Sequence, residues 1–432
     1  MTLHGLLKAL IERRFLATVG ERIAVLFGML ITAIDTGLAS LTLRIVARRT
    51  PVEKNKIIFL TFRGGYDCNP KWICEEIVRR QLPYQLVWVY RQKTQTSMEN
   101  YPKKMKLVRL GTYEFLKELC SARVIIDNGI TMITQLYKKK PDQILIETWH
   151  GSLGIKKFSI DANKDKDWIK KAVKEGQMTD YIISNSDFET NDVYKVDYWK
   201  ETPVWLHGHA RNDILFETDT ARIKAIRKKI AKLYRLDEDT KICLYAPTFR
   251  DDHDMSPYAI DYDGLNEALH ERFGGKWVIL ARFHYRIWNE VKKLFRDLDN
   301  PYAAFSAGSH PLRVINATDY PDIQELAACT DVAITDYSSW ICEYMVTRRP
   351  GFMFATDLQT YQEKDRPFFF PLTDLPFPVA YTSEELFENI RNFDNEKCVR
   401  RCDEFLKRMG SVDDGHAAER TVDEIMKLME ET

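Results

Sequence analysis

The sequence has no pair of cysteines at CxxC spacing and no zinc-site spacing, although it holds eight cysteines, at positions 68, 74, 120, 243, 329, 342, 398 and 402. Cys398 and Cys402 sit four apart on a helical stretch, too little to build a metal site. Free thiols in a reducing compartment are the reading that follows. The chain also lacks an excess of either charge: Lys+Arg and Asp+Glu each number 63 in 432 residues. That removes the global basic footprint of a nucleic-acid binder, and no nucleic-acid partner is expected. Long apolar runs are missing too. The longest, residues 23–34, breaks at Asp35 and resumes only at Leu38, short of the roughly 20 residues a membrane span requires. Arg22 precedes that run, but no small-residue cleavage site follows it, so it does not read as a signal peptide.

What is present is an ordinary globular composition, 45% hydrophobic and 29% charged, long enough for two or three domains. Residues 1–52 form an amphipathic helical segment with Lys8, Arg13, Arg14, Arg22, Arg44, Arg48 and Arg49 flanking its apolar part. Such a segment suits the interface of an anionic membrane, or packing on the body or on another subunit. From Lys56 the pattern changes. Buried-type strands (57–61, 84–90, 124–127, 144–148, 181–184) alternate with helical stretches such as 71–81 and 112–120. The alternation restarts at Lys241, with strands at 241–247, 277–282, 314–316, 331–335 and 351–354. This is an α/β protein with two Rossmann-like lobes in the glycosyltransferase-B layout, whose active cleft lies between the lobes. The expected divisions are a first lobe at 53–235, a second at 236–400, and C-terminal helices at 401–432 that return to the first lobe.

The most informative stretch is 331–349, DVAITDYSSWICEYMVTRR. A β-branched strand runs into Asp336, Tyr337, Ser338 and Ser339. Trp340, Ile341, Tyr344 and Met345 then recur at helical spacing up to Arg348, Arg349 and the stop at Pro350. The first N–H groups of such a helix lack internal partners and favour an anion, and two serine hydroxyls add donors there. A phosphate cradle is one reading; a helix capped by Ser338 or Asp336 is the other, since this is no glycine loop.

Seven motifs occur in order: WHG at 149–151 followed by Lys156 and Lys157, GHARND at 208–213, YAPTFR at 245–250, RFH at 282–284, PDIQELAACTDVAITDYSSWICEY at 321–344, RRPGFMFATDLQTY at 348–361 and DGHAAER at 414–420. As a set, over roughly residues 55–425, they resemble the CDP-glycerol glycerophosphotransferases, the teichoic-acid primases and polymerases of bacterial walls. This chain departs from the family pattern at Ser152, His209, Tyr285 and Glu343.

The resemblance implies transfer of a polyol phosphate from CDP-glycerol, or CDP-ribitol, to a hydroxyl of a lipid-linked acceptor, with release of CMP. It implies His150, beside Gly151, as the base that takes the hydroxyl proton, a task suited to imidazole near neutral pH, and His284 as a second catalytic histidine. Asp336, Ser338 and Ser339 would form the cradle. Arg250 and Arg282 would meet the diphosphate, because guanidinium forks onto phosphate oxygens. Thr248 would lie at the cytidine end. Arg211, Asn212 and Asp213 would hold the acceptor or position His150, unless Asp213 caps the following helix. Glu343, one turn past Ser339, would touch a ribose or polyol hydroxyl, or stand solvated. Asp251, Asp252 and Asp254 surround His253 in a polar loop and read as solvated, so no essential metal and no cofactor are expected. The implied location is the cytoplasmic face of the membrane, peripherally bound, with oligomerisation open. A nucleotide-sugar glycosyltransferase or epimerase on the same fold, and a non-catalytic nucleotide-binding scaffold, are the competing readings.

Overall fold

The computed structural model describes residues 42–430 except 44, 63, 92–100, 130–137, 158–164, 197, 251, 288–289, 291–303 and 306–311. The membrane reading of the N-terminal segment falls almost wholly on residues 1–41, outside the described ones. Its described end packs inward: Leu43 and Val46 are buried with Ile58, Leu60, Val87 and Phe115. Among the described residues no helix is long and apolar enough to cross a membrane.

The first sheet contains β1 (Glu53–Phe59), β2 (Gln85–Tyr90), β3 (Lys106–Arg109), β4 (Ala122–Asp127), β5 (Ile144–Glu147), β6 (Tyr181–Ser184) and β7 (Val204–Leu206). Their order is β3-β2-β1-β4-β5-β6-β7, and every pairing is parallel. Helices α1 (Cys68–Arg79), α2 (Tyr113–Ser121) and α3 (Lys166–Met178) provide crossovers. Apolar runs buried on both faces give such strands: Ile57, Ile58 and Phe59 have no exposure. The chain passes through α4 (Ala221–Tyr234), capped by the Thr220 hydroxyl, into the second lobe.

The second sheet contains β8 (Lys241–Tyr245), β9 (Trp277–Ala281), β10 (Ala304–Phe305), β11 (Leu312–Asn316), β12 (Val332–Thr335), β13 (Gly351–Phe354) and β14 (Val379–Ala380). Their order is β10-β11-β9-β8-β12-β13-β14, parallel except for the antiparallel edge pair β10–β11. Helices α5 (Tyr262–Phe273), α6 (Ile323–Ala328), α7 (Trp340–Tyr344), α8 (Leu358–Lys364) and α9 (Ser383–Arg391) accompany it. Both lobes thus have the doubly wound topology of the two-lobed layout, with a reversal of strand order beside β1 and beside β8.

Helices α10 (Asn395–Met409) and α11 (Ala417–Glu430) end the chain. Gly410, at φ +64°, terminates α10 in the left-handed conformation glycine favours. Immediately beyond it the backbone pairs with the first lobe, Asp187 N donating to Gly410 O (3.2 Å) and Val412 N to Asn185 O (2.9 Å). Helix α11 lies along α1, with Arg80 donating to Asp423 and to the carbonyl of Glu419. The lobes meet once more where Lys157 N donates to Pro367 O and Phe369 N to Ile155 O, both at 2.9 Å.

Candidate active site

The first lobe brings His150 to the cleft on a constrained turn. Strand β5 ends at Glu147, and Thr148 N donates to Asp127 O at the end of the neighbouring β4 (2.8 Å). Trp149 adopts φ +49°, a conformation that costs a side-chain-bearing residue free energy and persists only under support. Its N–H donates to Glu147 Oε1 at 2.7 Å. Burial, together with the nearby carboxylates of Asp127 and Glu175, pushes the Glu147 carboxyl well above its usual range. His150 Nδ1 lies 2.6 Å from Asn128 O. A carbonyl only accepts, so Nδ1 carries the hydrogen, and in the neutral ring the lone pair is on Nε2. The ring stacks on Phe62 (5.2 Å between centroids, 5° between planes) and leans on Trp149 at 4.3 Å.

The second lobe contributes the junction after β12. Ser339 is the N-cap of α7, and its side chain makes no capping hydrogen bond. Ser338 and Ser339 are half-buried at the cleft wall. Asp336 does not cap the helix: it accepts from Thr248 N (2.8 Å), Arg250 Nη1 (2.9 Å) and Tyr337 N. The helix is shorter than its periodicity implies, passing into a tight turn at Met345–Thr347, with Arg348 at φ +56°. Pro350 offers no N–H to continue it, and the left-handed turn sends the chain directly into β13.

Between the lobes is a cleft of about 400 Å³ lined by His150 and Arg211 from the first lobe and by Arg282, His284, Ser338, Ser339 and Glu343 from the second. These lining residues follow the carboxyl ends of their strands or lie on the next helix, as the topology requires. Arg282 donates to the carbonyls of Ala317 (3.2 Å), Thr318 and Tyr320. His284 stacks on Phe249 at 4.3 Å, and the Arg286 guanidinium lies over the same Phe249 ring at 4.9 Å. Arg286 and Arg366 are exposed and also line the cleft. Its acidic members are Asp67, Asp322 and Glu343, of which Asp322 and Glu343 are ion-paired, to Lys71 and Arg211. Arg282, Arg286 and Arg366 against Asp67 leave the rest of the lining net positive, which suits an anion.

Several expected site residues lie behind that surface. Arg250 is buried, forking onto Asp357 (Nε and Nη2, both 2.7 Å) and reaching Asp336. Its donors are spent inside the lobe, so the structure does not bring it to the cleft. Thr248 donates its N–H inward to Asp336, and Gly151 is likewise not a lining residue. Asn212 is buried between Asp413 (2.9 Å) and Gln324 (2.8 Å). Asp213 caps neither α4 nor a substrate; it accepts from Ala417 N (3.0 Å) and Ala418 N (2.8 Å), at the start of α11. Glu343, by contrast, is at the cleft wall, yet it is 1% exposed and not solvated. Arg211 Nη2 donates to one of its oxygens and Gln324 Nε2 to the other at 2.6 Å. Burial raises its carboxyl while these two partners pull it back.

Sequence reasoning passed over Asn69, Lys71, Gln324 and Asp413. Lys71 Nζ crosses between lobes to Asp322 (2.7 Å) and Glu325 (2.8 Å). Asp413 binds His209 N (2.8 Å), Asn185 (2.7 Å) and Asn212. Their partners lie far away in sequence, so no local pattern marks them; the Asn-Pro step at the start of α1 is the nearest signal. Lys156 Nζ lies 3.5 Å from Thr248 Oγ1, and burial lowers its pKa to about 8 against the pull of Asp336. Among the described residues no group of three His, Cys, Asp or Glu side chains is placed to hold a metal ion. Asp251 falls outside the described residues, and Asp252 and Asp254 accept backbone N–H groups of their own loop.

A family model described as CDP-glycerol:poly(glycerophosphate) glycerophosphotransferase matches residues 42–427. The teichoic acid poly(glycerol phosphate) polymerase of Staphylococcus epidermidis is 28% identical over 394 residues, covering 88% of this chain and 52% of that protein. The teichoic acid glycerol-phosphate transferase of Staphylococcus aureus is 26% identical over 391 residues, covering 87% of this chain and 94% of that protein. The chain spans about half the length of the S. epidermidis and Bacillus subtilis polymerases it matches. Among solved structures, the wall teichoic acid polymerase TagF superposes with a TM-score of 0.72 at 26% identity, covering 88% of this chain and 90% of that one. A histidine variant of TagF soaked with CDPG gives 0.76, covering 93% and 95%.

Proposed function

The chain belongs to the CDP-glycerol:poly(glycerophosphate) glycerophosphotransferase family, and we propose that it transfers glycerol phosphate from CDP-glycerol to an acceptor hydroxyl and releases CMP. One observation supports this most directly. An imidazole from one lobe, with Nδ1 committed to Asn128 O, shares a cleft with the serine-lined helix start and basic wall of the other.

In this reading Nε2 of His150 takes the proton of the acceptor hydroxyl. The oxygen attacks the phosphorus that bears glycerol, and the bond from that phosphorus to the bridging oxygen breaks. CMP leaves with the bonding electrons, and the proton passes from His150 to solvent. Ser338, Ser339, Arg282, Arg286, Arg366 and His284 meet the charge gathering on phosphate oxygens, the largest demand of phosphoryl transfer. The buried His209–Glu189 pair (2.9 Å) belongs to the framework behind the cleft.

The acceptor in this proposal is a lipid-linked saccharide or polyol phosphate at the cytoplasmic face of the membrane, and glycerol rather than ribitol is the polyol. The relatives named for glycerol phosphate reach 28% identity, and those named for ribitol phosphate reach 24%, a level that two of the glycerol-phosphate relatives share. The test is CMP release by purified protein with CDP-glycerol or CDP-ribitol and a lipid-linked acceptor. CMP release from CDP-glycerol, lost in His150→Ala with donor affinity retained, is the expected result. Release at the wild-type rate from His150→Ala overturns the assignment of the base.

A further inference from the structure

We infer that Asn69 is a positioning residue for the turn that bears His150: one carboxamide fixes the backbone of that turn and, on its other side, the backbone of Arg211. The inference rests on the reading of His150 as the base. Asn69 is the second residue of α1 and 1% exposed. Its Nδ2 donates to Thr148 O (2.8 Å) and Trp149 O (3.2 Å), and lies 3.3 Å from His209 Nδ1. Its Oδ1 accepts from Arg211 N at 3.1 Å.

The need for such support is set by Trp149. At φ +49° it holds a conformation that relaxes unless its surroundings over-determine it. Glu147 fixes its N–H. Its carbonyl, which belongs to the peptide plane leading into His150, is held by Asn69. That oxygen also meets Thr148 Oγ1 at 3.3 Å, from the turn itself, and Cys68 Sγ at 4.0 Å, a weak donor. If that plane tilts, the imidazole leaves Asn128 O, and with it the tautomer that puts the lone pair on Nε2. Arg211, tied to the same carboxamide, directs its guanidinium to Glu343 across the cleft, so the carboxamide links His150 to the interlobe ion pair.

Asn69→Asp tests this. The replacement is isosteric and can still accept from Arg211 N, but it cannot donate to the two carbonyls. Two readouts are taken: CMP release against CDP-glycerol concentration, and ¹⁵N chemical shifts of the His150 ring in histidine-labelled protein. The expected result is a kcat lower by roughly tenfold or more, as small misplacements of a reacting group produce. KM for the donor should stay within about twofold, and the ring signals should lose the Nδ1–H pattern. A kcat within about twofold of wild type, or a loss that follows only the folded fraction while the ring signals stay unchanged, overturns the inference. If Asn69→Asp does not fold, Asn69→Ser is judged by the same criteria. Should the wild type release no CMP at all, the reaction has been misassigned, and the ring signals alone decide the role of Asn69.

Discussion

Arg211 and Glu343 come from different lobes and form a buried ion pair at the wall of the cleft, with Gln324 on the second carboxylate oxygen. The pair explains why a residue one turn past the serines is acidic yet not available to solvent. It also makes a quantitative expectation. Removing one partner of a buried pair strands the other charge, which typically costs about 3–5 kcal/mol. Glu343→Gln should lower urea-unfolding stability on that scale, and the double replacement with Arg211→Met should recover part of the loss. Additive losses in that double-mutant cycle would show that the two side chains do not interact.

Lys71 makes another interlobe ion-pair contact, to Asp322 and Glu325. Burial opposes its charge, but the two carboxylates outweigh burial and hold its pKa above the ordinary lysine value. Glu325 is correspondingly lowered to about 2, burial being overcome by Lys71 and by hydrogen bonds from Tyr320 and Lys229. Lys71→Ala leaves Asp322, 3% exposed, without its cation. A loss of about 3 kcal/mol or more in chemical denaturation is expected, with no recovery in Lys71→Met.

Arg250 offers a test that separates a scaffold role from a ligand role. Its fork onto Asp357 and its contact with Asp336 are internal. Arg250→Lys keeps the charge but loses the bidentate geometry. The melting temperature should fall, while KM for the donor, measured where the variant is folded, should change less than in Arg282→Ala. A donor-specific KM effect without loss of melting temperature would mean that the guanidinium leaves these partners to bind ligand.

Asp213 should make stability depend on pH in an unusual direction. Burial raises its carboxyl from 3.8 to about 7, against the lowering effect of the Ala418 and Ala417 N–H groups. The folded protein therefore keeps a proton that the unfolded chain releases above about pH 4. Stability from this group is full below that pH and is lost as pH rises through about 7, with a slope of at most about 1.4 kcal/mol per pH unit. Asp213→Asn should flatten the difference between denaturation curves recorded at pH 5 and pH 7. An unchanged slope would place the proton elsewhere.

The fold was readable because most of its central strands contain apolar runs, such as residues 57–59 and Trp277–Ala281, which local composition reveals. The edge strands β3 and β14 escaped notice. Lys106–Arg109 places two exposed charges in four residues, and Val379–Ala380 is too short to form a pattern. Of the residues that motif resemblance singled out, His150, Arg211, Arg282, His284, Ser338, Ser339 and Glu343 line one cleft. It could not tell which polar residues face the cleft and which brace it. Arg250, Asn212 and Asp213 look like ligand contacts in sequence, yet their partners, Asp357, Gln324 and the start of α11, lie 107, 112 and about 204 residues away. Only the assembled tertiary structure distinguishes those duties.

The path of the backbone has one more consequence. Having built the second sheet, the polypeptide returns so that Asp413 satisfies Asn185, His209 N and Asn212, all in the first. Cutting the gene between the sheets would thus not yield two autonomous halves. The amino-terminal portion would be missing a buried carboxylate that three of its own polar groups require, and α1 would lose the cover of α11. The smallest heritable unit of this architecture is the whole loop out and back, and recombination that exchanges donor-side segments must preserve the tail that closes it.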